Sequence, residues 1–279
     1  MHIAALLIRR TELKPSLHLT FFHANGYPSG VYRQFFAALE RHAHVHAPSV
    51  LDSAPDCAAH RRWPTMLDQA LGLTQPRAGS RHVLVGHSMG GYLALQAAAR
   101  HPEAVAAVVL IDSPIPTGWR GKLLSFSQLT GLAYRAGPAP IAARRRDQWP
   151  SRAAAREFFA GKAFVQRWAP GVLDDFVAHA LVTAANGGVT LRVPRDTERD
   201  IYAYVVHRPA FHALQRLRRK GIAVHYIAGT QSKETRMAGY AENERLFAPR
   251  FHALPTGHLI PMEAPVDCAA LVLKLATAG

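Results

Sequence analysis

The stretch LVGHSMGGYLAL, Leu84 to Leu95, passes from an apolar run through a single serine set between glycines into an Ala- and Leu-rich tail. HVLVG (82–86) has the unbroken apolar character of a buried strand. From Met89 to Arg100 the pattern is helical, until Pro102 stops it. Ser88 therefore stands on the joint between strand and helix. Gly86-His87-Ser88-Met89-Gly90 fits G-x-S-x-G, a sharp turn that strains the serine backbone and exposes its hydroxyl. Side chains flanking such a turn would collide with it; Gly86 and Gly90 have none, and Gly91 lets the helix pack close to the sheet. The turn also aims the Met89 N–H, at a helix N-terminus, toward an oxygen on which negative charge develops. The competing reading is a Gly-rich joint with an incidental serine, and a strand before and a helix after weigh against it.

Working outward, LHLTFFH (17–23), AHVHA (43–47), AVAAVVLID (104–112), IAVHYIAG (222–229) and PRFHAL (249–254) read as strands. Between them lie helical patterns such as VYRQFFAALERH, with Val31, Phe35, Phe36 and Leu39 at helical spacing, and RWPTMLDQALGL (62–73). This alternation predicts an α/β fold with a mainly parallel central sheet and helices on both faces. From Ser113 to about Asp200 there are helical patterns but no convincing buried strand. That segment, 113–200, is expected to be a helical cap inserted after the strand ending at Asp112. The core is then built from 1–112 and 201–279.

GHSMGG, together with HANGYPSG upstream and PTGHLIPMEAP near the end, resembles the α/β-hydrolase superfamily, in its serine-hydrolase branch. The resemblance covers the sheet-forming parts from about residue 17 onward and leaves the cap unassigned. It implies Ser88 as nucleophile and His258, on a Thr-Gly-His turn after the last strand, as the base that activates it. It also implies an oxyanion hole from the N–H groups of Met89 and Asn25, with His23 on the active-site loop. Here Ala24 stands where the family usually has glycine. His87, inside the turn, is expected to be a packed residue that orients it.

The acid that should hold the histidine tautomer is less plain. Most of the superfamily carries an aspartate after the penultimate strand, in a pattern like G-x-x-D. This chain reads AGTQSKETR there, with no carboxylate before Glu234. Some members place the acid after an earlier strand, where this chain has Asp112, at the end of VVLID. Asp112 is the expected acid and Glu234 the alternative.

The resemblance implies hydrolysis of an ester, thioester or lactone through an acyl-enzyme, on a small-molecule substrate with an acyl group. Two other readings stay open: a carbon–carbon bond hydrolase using the same serine, and a hydrolase-like scaffold that binds a ligand without turnover. Epoxide hydrolysis and dehalogenation are disfavoured, because those branches use aspartate at the position of Ser88. No metal or organic cofactor is implied.

Composition narrows the rest. The 279 residues are 49% hydrophobic, enough for a sizeable core, and Cys57 and Cys268 are too few for a disulfide framework. The formal charge of +14 is mostly arginine scattered along the chain, and the clusters Arg144–Arg146 and Arg216–Lys220 lack interleaved aromatics. A nucleic-acid partner is therefore not expected. No apolar run approaches the roughly 20 residues that span a bilayer, so no membrane insertion is expected. The opening apolar run is followed by Arg9 and Arg10, the reverse of a signal peptide's charge order, which predicts a cytoplasmic protein. A homodimer is compatible with all of this. The cap aromatics, among them Trp119, Phe126, Trp149 and Trp168, are assigned mainly to packing, with a few available to line an acyl pocket.

Overall fold

The computed structural model describes residues 16–51, 57–75, 79–185 and 187–278. The opening run with Arg9 and Arg10 lies outside the described residues. Nine strands are present among those described: β1 (Ser16–Phe22), β2 (His44–His46), β3 (Ser80–His87), β4 (Ala107–Ile111), β5 (Gln148–Trp149), β6 (Leu181–Thr183), β7 (Val189–Leu191), β8 (Ala223–Gly229) and β9 (Phe251–Leu254). Six form the central sheet in the order β2-β1-β3-β4-β8-β9, and every neighbouring pair is parallel.

Successive strand side chains point to opposite faces, so an apolar strand serves two cores at once. In β3, Val83 and Val85 join one core, with Leu19, Phe21, Val109 and the helix Pro265–Thr277. Leu84 joins the other, with Val108, Leu110, Tyr226 and the helices Met89–Arg100 and His207–Arg219. All five residues of β4 are buried, which explains its unbroken apolar sequence. Removing one such side chain, as in Leu110→Ala, costs about 2–5 kcal/mol.

The segment after β4 holds the helices Gly118–Leu129, Pro138–Arg144, Arg152–Ala160, Val172–His179 and Arg195–Ala203. It also holds strands, contrary to the sequence reading. β5, β7 and β6 form a three-stranded antiparallel sheet. Each is only two or three residues long and partly exposed, too short for a two-residue periodicity to register. The segment is tied down by buried polar contacts. Arg62 pairs with Asp200 at 2.8 Å with both side chains buried, and the Trp63 indole N–H donates to the Ile201 carbonyl.

Among the described residues no helix is long and apolar enough to cross a membrane.

Candidate active site

Parallel strands deliver their C-terminal ends to one edge of the sheet, and the candidate residues gather there. β3 ends at His87, the helix begins at Met89, and Ser88 between them has φ 52° and ψ −116°. A non-glycine residue at such a φ is strained by about 1–3 kcal/mol. The surroundings hold it there: the Ser88 N–H donates to the Ile111 carbonyl at 2.9 Å. A Cβ on Gly86 would lie 2.3 Å from the Gly90 carbonyl oxygen, and one on Gly90 would lie 2.0 Å from that of Phe22. A Cβ on Gly91 would strike the Ser113 hydroxyl at 2.1 Å. The glycines are therefore demanded by contact as well as by the turn. The Gly90 approach also sets the helix start against the end of β1, where His23, Ala24 and Asn25 follow. Met89, first in its helix, has an N–H with no intrahelical acceptor.

His258 lies on the loop after β9. A Cβ on Gly229, at the end of β8, would lie 2.1 Å from the Gly257 carbonyl, so that loop packs on the sheet edge without space between. The Gly257 N–H donates to Glu263, and Arg167 closes an ion pair on the same carboxylate at 2.7 Å. Held in this way, His258 brings Nε2 to 3.0 Å from the Ser88 hydroxyl and Nδ1 to 2.6 Å from Asp112 Oδ2. A carboxylate only accepts, so Nδ1 carries the proton and Nε2 is free to accept from Ser88.

Asp112 is fully buried at the end of β4, with φ 41°. Besides the imidazole it accepts hydrogen bonds from the Gly229 N–H at 2.9 Å, the Thr235 hydroxyl at 2.9 Å and the Ser232 hydroxyl at 2.5 Å. Glu234 does not take that place. Its carboxylate accepts a longer bond from Ser232, at 3.4 Å, and it has no hydrogen bond to His258. Polar atoms of Asp112, Glu234 and His258 lie within 4.8 Å of one another. A cation among them would have to displace the Nδ1 proton and the hydroxyls that already occupy Asp112.

Burial alone would lower the His258 pKa. The hydrogen bond and charge of Asp112, joined by the charges of Glu234 and Glu263, outweigh it and hold the imidazole above its ordinary value. His87 and His23 go the other way. Burial, aided by the neighbouring His258, pushes His87 down to about 3, and burial pushes His23 down to about 4. Both are neutral packed rings within hydrogen-bond chains. The Ala24 N–H donates to the Tyr32 hydroxyl, which donates to His87 Nδ1, and His87 Nε2–H donates to the His258 carbonyl. His23 Nδ1–H donates to the Ala24 carbonyl, and its Nε2 accepts the Leu51 N–H. The two rings thus brace the loop carrying Asn25 and the loop carrying His258.

A model of the alpha/beta hydrolase family matches residues 21–271. The chain belongs to that family. Within the alpha/beta hydrolases, 35% identity over 78 residues relates it to the lipase LipV of Mycobacterium tuberculosis, a match over 25% of this chain and 30% of that protein's length. Among solved structures, E-2-(acetamidomethylene)succinate hydrolase superposes with a TM-score of 0.69 at 18% identity, covering 94% of this chain and 92% of that one. The thioesterase domain from the curacin biosynthetic pathway gives 0.69 at 17% identity with the same coverage. An esterase from Mycobacterium tuberculosis gives 0.61 at 18% identity, covering 93% and 84%. At such identities the likeness is one of fold.

Several residues of this candidate site escaped the sequence reading. Ser232 and Thr235 surround Asp112, and their signal was the serine in AGTQS, third after Gly229, where the family pattern has its carboxylate. Tyr32 gave no signal. Nor did Glu198, whose carboxylate would be 3.2 Å from a Cβ on Gly26 and whose carbonyl accepts from the Asn25 side chain. Burial raises Glu198 to about 7 against the opposing pull of Arg145, with which it pairs.

Proposed function

We propose that this hydrolase cleaves a carboxylic ester, thioester or lactone through an acyl-enzyme on Ser88. The observation that carries the reading is the unbroken contact series Ser88 Oγ, His258 Nε2, His258 Nδ1, Asp112 Oδ2, at 3.0 and 2.6 Å. His258 takes the Ser88 proton as the hydroxyl oxygen attacks the acyl carbon, and Asp112 stabilises the imidazolium that forms. The oxyanion of the tetrahedral intermediate is received by the N–H groups of Met89 and Asn25. Its collapse expels the alcohol or thiol leaving group, which takes the proton from His258. Water then repeats the sequence on the acyl-enzyme and releases the acid. No step calls on a metal or organic cofactor.

Residues 113–200 act in this reading as a cap over the strand ends, and the substrate enters between cap and sheet edge. The esterase, lipase and thioesterase relatives support the class of bond cleaved and leave the acyl group open. The test is labelling by a fluorophosphonate probe, with short- and medium-chain nitrophenyl esters, thioesters and lactones as substrates. Wild type should be labelled and active, and Ser88→Ala should be folded, unlabelled and inactive. Equal ester turnover in purified Ser88→Ala would refute the assignment.

A further inference from the structure

The helix Gly118–Leu129 turns large apolar side chains outward. Trp119 is 65% exposed, Phe126 56% and Leu129 87%, and Leu123 completes the stripe at helical spacing. Leu132 and Ile141, in the residues that follow, are exposed as well. Such side chains are ordinarily scattered singly over a surface, and here most of the exposed ones among the described residues fall within a single short segment. That segment is also chemically one-sided. From Ser113 to Arg146 the sequence has six arginines and lysines and no aspartate or glutamate.

Two of the six are matched from elsewhere, Arg120 by Glu242 and Arg145 by Glu198. Arg146 lies over the Trp149 and Phe158 rings, and Lys122, Arg135 and Arg144 form no ion pair among the described residues. Beside the stripe a cleft of about 500 Å³ runs between this helix and the helix His207–Arg219. Lys122 lines one wall and Arg208 and His212 the other, with Phe211.

We propose that this face seats the protein on a lipid surface rich in anionic phospholipid. The apolar stripe enters the headgroup–acyl boundary, the free cations meet the lipid phosphates, and the cleft takes a headgroup. Charge selects this occupant over two others. A second copy would bring another cationic face on a chain of net +14, and the chain's own first fifteen residues add Arg9, Arg10 and Lys14 against a single glutamate, Glu12. The proposal does not depend on hydrolysis, and docking should be the same in Ser88→Ala.

The experiment is flotation of the full chain with vesicles of phosphatidylcholine, with and without phosphatidylglycerol. The emission of Trp119, the one strongly exposed tryptophan, is followed alongside. The expected result is binding that needs the anionic lipid, weakens with salt and shifts the emission to the blue. Lys122→Ser with Arg135→Ser and Arg144→Ser should weaken it about a hundredfold, at about fivefold per lost cation. Leu123→Ser with Phe126→Ser should weaken it at least tenfold, with only a small fall in melting temperature because both side chains are more than half exposed. Equal binding to pure phosphatidylcholine would overturn the proposal, as would binding unaffected by either variant. So would a lipid-free dimer that Leu123→Ser with Phe126→Ser dissociates. Heparin binding as tight as vesicle binding, and indifferent to the apolar substitutions, would overturn it in favour of a simple polyanion site.

Discussion

Replacing Asp112 by asparagine tests the assignment of the acid, and the structure fixes what the amide must do. One carboxylate oxygen accepts from the Gly229 N–H and the Thr235 hydroxyl, the other from Ser232 and His258. The Gly229 donor is backbone and cannot turn round, so the amide oxygen takes that side. The NH₂ group then faces His258 Nδ1, which can only accept from it, and the imidazole proton moves to Nε2, opposite Ser88. In that tautomer the ring is no base for the serine. The expected loss in kcat is about 10⁴-fold, or about 5.4 kcal/mol. The cost to stability is far smaller, about 1–3 kcal/mol, because Thr235 keeps its acceptor and the Ser232 hydroxyl can rotate to accept from the amide.

The assay is steady-state hydrolysis of a nitrophenyl ester from pH 5 to 9, with thermal unfolding by circular dichroism. Glu234→Gln, measured in parallel, should lose less than tenfold, since Glu234 acts on the ring only at a distance. A folded Asp112→Asn enzyme within tenfold of wild type would refute the reasoning. So would a greater loss in Glu234→Gln than in Asp112→Asn.

The remaining predictions use the same assays. In the proposed mechanism the neutral imidazole is the working form, and its pKa is raised, so the acidic limb of the rate profile should lie above pH 6.5; a limb below it would contradict the Asp112 contact. His23 and His87 have folded pKa values below the unfolded 6.5, so the unfolded chain binds more protons and stability falls as pH drops from 6.5 toward 4. His23, about 4 when folded, contributes about 3 kcal/mol of that loss and His87 adds to it, so the urea midpoint should fall clearly from pH 7 to pH 4; an unchanged midpoint would contradict it. Ser232→Ala removes both a donor to Asp112 and the cap on the Thr235 N–H, so it should cost about 1 kcal/mol of stability and about tenfold in kcat with KM unchanged. Gly90→Ala forces a methyl against the Phe22 carbonyl, and no soluble folded protein is expected by size-exclusion chromatography.

The sequence alone determined the fold class and the strand–turn–helix joint at Ser88, and it named Ser88 and His258 with Asp112 preferred over Glu234 as the third member. Strand and helix periods are local properties, readable within a dozen residues. The glycines at 86, 90 and 91 answer a steric demand that almost no other residue meets. His258 was legible because its turn and the following LIPMEAP are a contiguous pattern. The short strands β5, β6 and β7 were not legible, because two or three residues carry no period.

Only the tertiary structure set Asp112, and not Glu234, against His258. Asp112 lies 117 residues from Gly229, 120 from Ser232 and 146 from His258. What brings them together is the sheet order, in which β4 lies beside β8 with Ile111 opposite Ile227. That pairing sets the end of β4 next to the turn after β8, where the Gly229 N–H and the Ser232 hydroxyl donate to Asp112. The end of VVLID offered Asp112 as the preferred candidate, but its surroundings could not be read there, because the groups that hold the carboxylate belong to another strand's turn and become its neighbours only when the sheet forms.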